Sequence, residues 1–457
     1  MDNSIRIASG SGFWGDWAEA PINQVNDGPI DYLVMDYLAE VTMSILQKLK
    51  NRDTSQGYAR DFLGVMDEIL PAVKEKNITV ITNAGGVNAH ACKNELMQLA
   101  REKGMDHLRV AVVEGDNVRD TMHTLMEKGE KFPHLDTGQP FTEIEAELQS
   151  AHAYFGSQPI IDALNQQVDV VITGRVIDAG LIVAPMVYEF GWEMDQYDLV
   201  SAATVAGHLL ECGGQATGGN FTDWEKVENI HNLGFPIVEA YPDGTFDVIK
   251  HEGSGGLVSE ATVKEQLVYE IRDPSAYLTA DVSADFTSLQ VRKKGENRVR
   301  ISSVRGTAPP DQYKVSANYL DGYKITSMLT YSWPRAFEKA RDAAAVFRKR
   351  VNDLNLEIEE LHFEYVGLNA CHEQVPEEIA GGDENEIQLR IAARGRHKEH
   401  LKTLSKEIAP LILTGPPGAT GFAGGRPKPS SVIAYWPTLI DKSHCTPRVQ
   451  VFDLNRF

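Results

Sequence analysis

The sequence predicts an α/β fold: a mainly parallel, Rossmann-like sheet in the N-terminal half, followed by an α+β second domain. Three observations carry this. Short apolar, β-branched runs recur between Ile5 and Thr173, helix-like stretches separate them, and beyond residue 235 the pattern changes to hairpins and longer alternating strands. Buried runs covered on both faces, alternating with helices, are the pattern of a parallel sheet. The length of 457 residues suits two or three domains at roughly 150 residues each, and the change of pattern divides the chain into 1–235 and 236–457.

The elements follow in order. Ile5-Arg6-Ile7-Ala8 is the first strand and opens into Gly10-Ser11-Gly12-Phe13-Trp14-Gly15. Asp31 to Tyr37 is the second, followed by a helical stretch to Asn51 and another from Asp61 to Lys76. Ile78–Thr82, Val110–Val113 and Asp169–Thr173 are the remaining strands of this half. Polar or glycine residues follow each strand, where open α/β sheets place their ligands. In the second half, Asp243-Gly244 marks a hairpin turn and Ser259–Glu270 a helix. Leu289–Ser303 and Gln312–Thr330 alternate as strands, and Pro334 opens a helix to Val351, a position Pro favours. Strands at 360–367 and 386–392 and a helix near 397–408 complete the pattern, with a Gly/Pro-rich connection from Gly415 to Pro429.

Hydrophobic residues make up 42% and charged residues 24%, ordinary for a chain that builds a core. With 44 Lys and Arg against 65 Asp and Glu, the net charge is −21. That argues against a nucleic-acid partner, which needs a cationic footprint, and against an anionic membrane surface. No apolar run is long enough to span a bilayer, and the first residues do not read as a secretory signal. A cytoplasmic location is expected. Cys92, Cys212, Cys371 and Cys445 are far apart without CxxC spacing, so neither a disulfide framework nor a zinc finger is indicated.

Gly10-x-Gly12-x-x-Gly15 matches the dinucleotide fingerprint, with Asp36 at the end of the next strand. Bulky Phe13 and Trp14, Pro21, and the Asp27-Gly28-Pro29 break fit it poorly, since a pyrophosphate needs a helix N-terminus there. A tight turn is the expected role, with Gly12, Trp14 and Asp16 as candidate substrate contacts. No cofactor is expected. After the third strand, Asn83, Gly85 and Gly86 offer an amide and close backbone approach to a ligand. Arg175 and Asp178 follow the fifth strand. Arg175 is a candidate clamp for a carboxylate or phosphate, or a partner for Asp178.

The run from Gly207 to Asn220 is the most informative. His208 and Glu211 are three apart on a helix and share a face, and Cys212 meets the glycines that end it. A base, a carboxylate and a thiol beside a glycine loop suit acid/base or nucleophilic chemistry, with Asn220 as a ligand contact. A metal reading has less support, for want of a zinc-binding motif. His251 and Glu252, before Gly253, are a second His–carboxylate pair, read either as a base with its orienting carboxylate or as a surface turn and helix cap. Arg298 and Arg300 share a strand face in a basic cluster that suits a phosphate-rich ligand or a solvated hairpin. No GxSxG elbow occurs.

In order, SGSGFWGD, YLVMDYLAE, TNAGGVN, VDVVITGRVIDAGL, GHLLECGGQATGGNF, KHEGSGGLVSEATVKEQLVYEI and TADVSADF resemble the acyclic terpene utilisation family of AtuA-type proteins over nearly the whole chain. The resemblance implies catabolism of acyclic terpenes through branched acyl-CoA intermediates, with coenzyme A as part of the substrate. Many relatives carry a small ferredoxin-like C-terminal domain. No copy is apparent here, so the resemblance implies a separate small companion domain or subunit, or none.

The leading expectation is a hydratase- or lyase-type enzyme, a homo-oligomer acting on a branched acyl-CoA or related carboxylate by proton transfer. Glu211 or His251 moves the proton, assisted by Cys212, His208 or Glu252. Asn83, Asn220 and glycine-loop N–H groups hold the developing oxyanion, and Arg175 holds an anionic group. The alternative is a non-catalytic ligand-binding or assembly subunit.

Overall fold

A computed structural model describes residues 4–368, 370–372, 384–421 and 425–456. Glu373, beside His372, and Phe422–Gly424 of the Gly/Pro-rich connection lie outside them. The chain divides into two compact units, residues 1–318 with 435–457, and residues 319–434. The division is not at 235/236, because the strand that follows that point pairs with the first strand of the chain.

In chain order the first unit contains β1 (Ile5–Ser11), α1 (Glu19–Asn26), β2 (Tyr32–Met35), α2 (Thr42–Arg52), α3 (Asp61–Glu75), β3 (Thr79–Thr82), α4 (Ala89–Glu102) and β4 (Arg109–Glu114). There follow α5 (Arg119–Glu127), β5 (Leu148–Ala153), α6 (Gln158–Leu164), β6 (Val170–Thr173), α7 (Gly180–Phe190), α8 (Tyr197–Leu210), β7 (Ile237–Ala240), β8 (Phe246–Ile249) and α9 (Glu260–Val268). The five strands read from the first half are all present. They form the parallel centre of a ten-stranded sheet, in the spatial order β1-β2-β3-β6-β4.

The sheet is only partly parallel. β7, β8 and the strands Arg298–Ser302 and Gln290–Gly295 extend it antiparallel beyond β1, and Arg448–Asp453 pairs antiparallel with β4 at the other edge. The parallel order also differs from the 3-2-1-4-5-6 order of a dinucleotide-binding sheet. The chain runs β1 to β3 in one direction, leaps to β4, and fills the gap with β6.

Alternation along the strands gives the sheet two apolar faces. Leu33, Met35, Val80, Val110, Val112, Val170 and Ile172 point to one core, which α3 fills with Phe62, Met66, Ile69 and Leu70 and α4 with Cys92, Leu96 and Met97. α7 packs against β1 and β2, and α6 against β4 and β6.

In the second unit, Gln312–Ser332 continues beyond residue 318 and is followed by the helix Ala336–Asp353, the strands Glu360–Val366 and Glu386–Gly395, the helix Lys398–Ser405 and the first residues, 430–434, of the strand Ser430–Asp441. The two middle strands pair with each other, and Gln312–Ser332 lies between Glu386–Gly395 and Ser430–Asp441. This is the β-α-β-β-α-β order of ferredoxin-like folds. The core of this unit joins Phe347, Ala340 and Ala343 of the helix to Leu329, Tyr331, Leu389 and Ile391 of the sheet.

Candidate active site

Side chains just beyond the carboxyl ends of the parallel strands are tied into one buried network. The Ser11 hydroxyl donates to the Asp36 carbonyl over 3.0 Å. Asn83 Nδ2 donates to Asp36 Oδ1 over 2.6 Å, and Asn83 Oδ1 accepts the Tyr37 N–H over 2.8 Å. Burial pushes the Asp36 carboxyl up to about 6, against the pull of Arg175 and of the Asn83 hydrogen bond. The Arg175 N–H donates to Asp116 Oδ2 over 2.9 Å, and the same carboxylate meets His152 Nδ1 at 2.8 Å.

The Arg175 side chain is buried and committed. It donates to the Leu38 carbonyl over 2.7 Å and pairs with Asp178 at 2.8 Å. Burial opposes its charge, yet Asp178, Tyr154 and Asp36 hold its pKa above the usual arginine value. Arg175 thus meets a partner three residues on, and its guanidinium lies 4.1 Å over the Tyr154 ring.

Close helix packing brings the second set of groups to this edge. A Cβ on Gly207 of α8 would lie 2.6 Å from the Ala179 Cα, so glycine lets α8 meet the start of α7 beside Asp178. At the next residue, His208 Nδ1 faces Glu211 Oε1 at 2.8 Å and Nε2 faces the Gln266 carbonyl of α9 at 2.8 Å. Gln266 Nε2 returns a bond to the His208 carbonyl over 2.9 Å. Both ring nitrogens face acceptors, an arrangement that favours the imidazolium form against the Glu211 carboxylate. Burial works against that charge, but Glu211 and the Gln266 carbonyl outweigh it and raise the His208 pKa.

Glu211 is the C-cap of α8. With His208 it opens into a cavity of about 440 Å³ whose lining also includes Glu40, Tyr154, Asp178, Glu270, Tyr277 and Lys314, with apolar Leu135, Ile177, Leu278 and Leu439. That volume lies in the range of small-molecule sites. Among the described residues no group of three or more His, Cys, Asp or Glu side chains is arranged to hold a metal ion.

Of the residues singled out in the sequence, the cavity gathers Asp178, His208 and Glu211, with Arg175 directly behind Asp178. Cys212 adjoins Glu211, but burial and that carboxylate push its thiol up to about 12, so it keeps its proton. Gly12 packs on the following turn, where a Cβ would come within 2.7 Å of the Cys212 and Gly213 backbone. Asp16 closes the loop by accepting the Gly12 N–H over 2.8 Å, and Trp14 packs against the core around Leu38 and Met43. A helix does follow this loop, α1, unlike the expectation from Pro21. Asn83 spends its amide inside the network, Gly85 packs on the Thr173 carbonyl and Gly86 on Leu46. Asn220 is exposed, donating to Gln215 over 3.0 Å.

His251 and Glu252 lie elsewhere. They line a separate cavity with Arg6, Lys250 and Arg298, which shares no residue with the first. His251 Nε2 donates to the Gln24 carbonyl over 3.0 Å, and burial lowers its pKa, leaving it neutral. Arg298 and Arg300 do share a face, but Glu239 and Asp247 neutralise them, with Arg298 bonded at 2.6 Å to both.

Glu40, Tyr154, Glu270, Tyr277 and Lys314 were not read from the sequence. Tyr154 follows β5, whose LQSAHA pattern carries a weak strand signal, and Lys314 is one polar residue among several in an alternating strand.

Fold and cavity together define a mixed α/β protein with a carboxylate-rich pocket at the carboxyl edge of its parallel strands. Nearly the whole chain, residues 5–451, matches the acyclic terpene utilisation family protein AtuA, and the chain belongs to that family. No curated protein and no solved structure matches it. Among the described residues no helix is long and apolar enough to cross a membrane.

Proposed function

We propose that the protein serves acyclic terpene utilisation as a hydratase- or lyase-type enzyme, moving a proton on a branched acyl-CoA or related carboxylate held in the His208–Glu211 cavity. The observation that carries this reading is the 2.8 Å contact between the buried His208 ring and the Glu211 carboxylate, both of which line the cavity. Glu211 is the proton-transfer group. Its carboxylate takes a proton from carbon next to the acyl carbonyl and returns one in the reverse sense. His208 is a positioning residue: its Nδ1–H fixes one Glu211 oxygen, and its Nε2–H is spent on Gln266. Apolar Leu135, Ile177 and Leu439 suit the hydrocarbon part of an acyl group, with the coenzyme outside.

The test is proton exchange in D2O with a panel of branched, saturated and α,β-unsaturated acyl-CoA thioesters and the free acids, read as mass gain in the acyl group. The wild type is expected to incorporate deuterium with at least one of them, and Glu211→Gln to lose that exchange while keeping its fold. Exchange undiminished in Glu211→Gln removes the assignment, and no exchange across the panel removes the reaction class.

A further inference from the structure

The cations around the cavity are not equally committed. Arg175 is paired with Asp178 at 2.8 Å and His208 with Glu211 at 2.8 Å. Lys314 is different. Its closest carboxylate is Glu40 at 4.0 Å, beyond hydrogen-bond reach, and its ammonium donates no hydrogen bond among the described residues. An ammonium has three donors, so Lys314, though set against the Glu40 carboxylate at 4.0 Å, brings unspent donors to the cavity it lines.

Tyr154 stands beside it. Lys314 Nζ lies 5.0 Å from the Tyr154 ring centroid, and the Arg175 guanidinium lies over the same ring at 4.1 Å. Tyr154 is 6% exposed and lines the cavity, and among the described residues its hydroxyl makes no hydrogen bond of good geometry, although the Arg175 guanidinium lies close enough to interact with it. A buried hydroxyl without a well-formed hydrogen bond costs stability, so such a group at a cavity wall marks a place where a ligand or ordered water completes the bond. Two cations at the ring draw electron density from it and make the phenol a stronger donor toward an anion.

We propose that Lys314 and Tyr154 form a carboxylate-binding subsite that selects a free aliphatic monocarboxylate within this cavity. One carboxylate oxygen takes a Lys314 N–H and the other the Tyr154 O–H. Charge sets the class. Lys314 has no hydrogen-bonded carboxylate among the described residues, unlike Arg175 and His208, so it attracts one negative charge, while Glu40, Asp178, Glu211 and Glu270 in the same lining repel a phosphate dianion. Leu135, Ile177, Leu278 and Leu439 cover the chain. The inference rests on the cavity being the substrate site but not on proton transfer at Glu211, and burial, which lowers the Lys314 pKa, agrees with a group awaiting an anion.

The experiment uses the full chain with 3-methylbutanoate, its neutral isostere 3-methylbutanamide, and inorganic phosphate, followed by carboxyl-¹³C NMR titration and thermal shift. Saturable binding of the carboxylate is expected, at least about tenfold tighter than the amide or phosphate. Lys314→Met should lose it and Lys314→Arg retain it. Tyr154→Phe should weaken it about fivefold or more without lowering the unliganded melting temperature, because the hydroxyl removed made no hydrogen bond of good geometry. Glu211→Gln should bind the acid at least as well as wild type, which separates this proposal from the proton-transfer reading. Equal binding of amide and acid, tighter binding of phosphate, no saturable binding of the acid, or unchanged binding in both Lys314→Arg and Tyr154→Phe alongside unchanged binding in Lys314→Met overturns it.

Discussion

The two histidine–glutamate pairs, both singled out in the sequence, come to opposite ends in the fold. His208 and Glu211 are three residues apart at the end of a helix, and that spacing puts both on one face and in contact. His251 and Glu252 are adjacent in a turn, where neighbouring side chains diverge. His251 turns inward to the Gln24 carbonyl and Glu252 stays exposed. Burial acts on both rings alike. It loses to a carboxylate and a carbonyl at His208, raising the pKa, and wins at His251, lowering it. What distinguishes a site from a packed histidine here is the partner across from each ring nitrogen, not the residue pair itself.

The largest expected effect separates the two carboxylates. Glu211→Gln should reduce proton exchange by about 10² to 10⁴-fold, the range of general acid–base catalysis. Glu252→Gln, on an exposed turn, should leave the rate within about twofold. Equal losses in the two variants would erase the distinction between the cavities.

Stability should separate the histidines next. His208→Gln leaves either the Glu211 carboxylate or the Gln266 carbonyl without its hydrogen and should cost about 3 kcal/mol. His251→Gln replaces one neutral donor and should cost about 1 kcal/mol. Denaturant titration reads both, and the reverse order would show that the His208 contacts are weaker than their geometry implies.

Much of this was legible because it is local. The parallel strands, the Asp243-Gly244 hairpin and the helix from Ser259, whose side chain caps it by accepting the Thr262 N–H, all follow from periodicity and turn chemistry. So does the contact between His208 and Glu211. The rest depends on distant partners. Nothing near Arg448–Asp453 tells that it pairs with β4, and nothing in the first fingerprint tells that Gly12 packs on Cys212 instead of a phosphate. Arg175 read as a ligand clamp because its commitment to Leu38, more than a hundred residues away, has no local signature. Lys314 was invisible for the converse reason, that its distinction is the absence of a hydrogen-bonded partner.

The pH response should carry opposite signs. A histidine whose folded pKa is raised contributes stability fully below its unfolded pKa, about 6.5, and loses it as pH rises through the folded value. His208 is of this kind. A histidine whose folded pKa is lowered contributes above about 6.5 and loses the contribution as pH falls through the folded value. His251 is of that kind. Melting temperature against pH, compared with wild type, should therefore lose an alkaline-side decline in His208→Gln and an acid-side decline in His251→Gln. Curves that change on the same side in both variants contradict the assignment.

The smallest effect concerns the thiol beside Glu211. A nucleophilic cysteine reacts as thiolate, and sites that use one lower its pKa with a nearby cation or helix N-terminus. Cys212 has the reverse surroundings: it follows the C-terminal end of α8, next to a carboxylate, and burial with that charge pushes the thiol up to about 12. At neutral pH almost none of it is ionised, so it packs as a small apolar group. Cys212→Ala should keep proton exchange within about threefold of wild type, since only a minor packing loss is asked of it. A loss as deep as that of Glu211→Gln would instead place a covalent step at sulfur and move the reactive centre one residue along the turn.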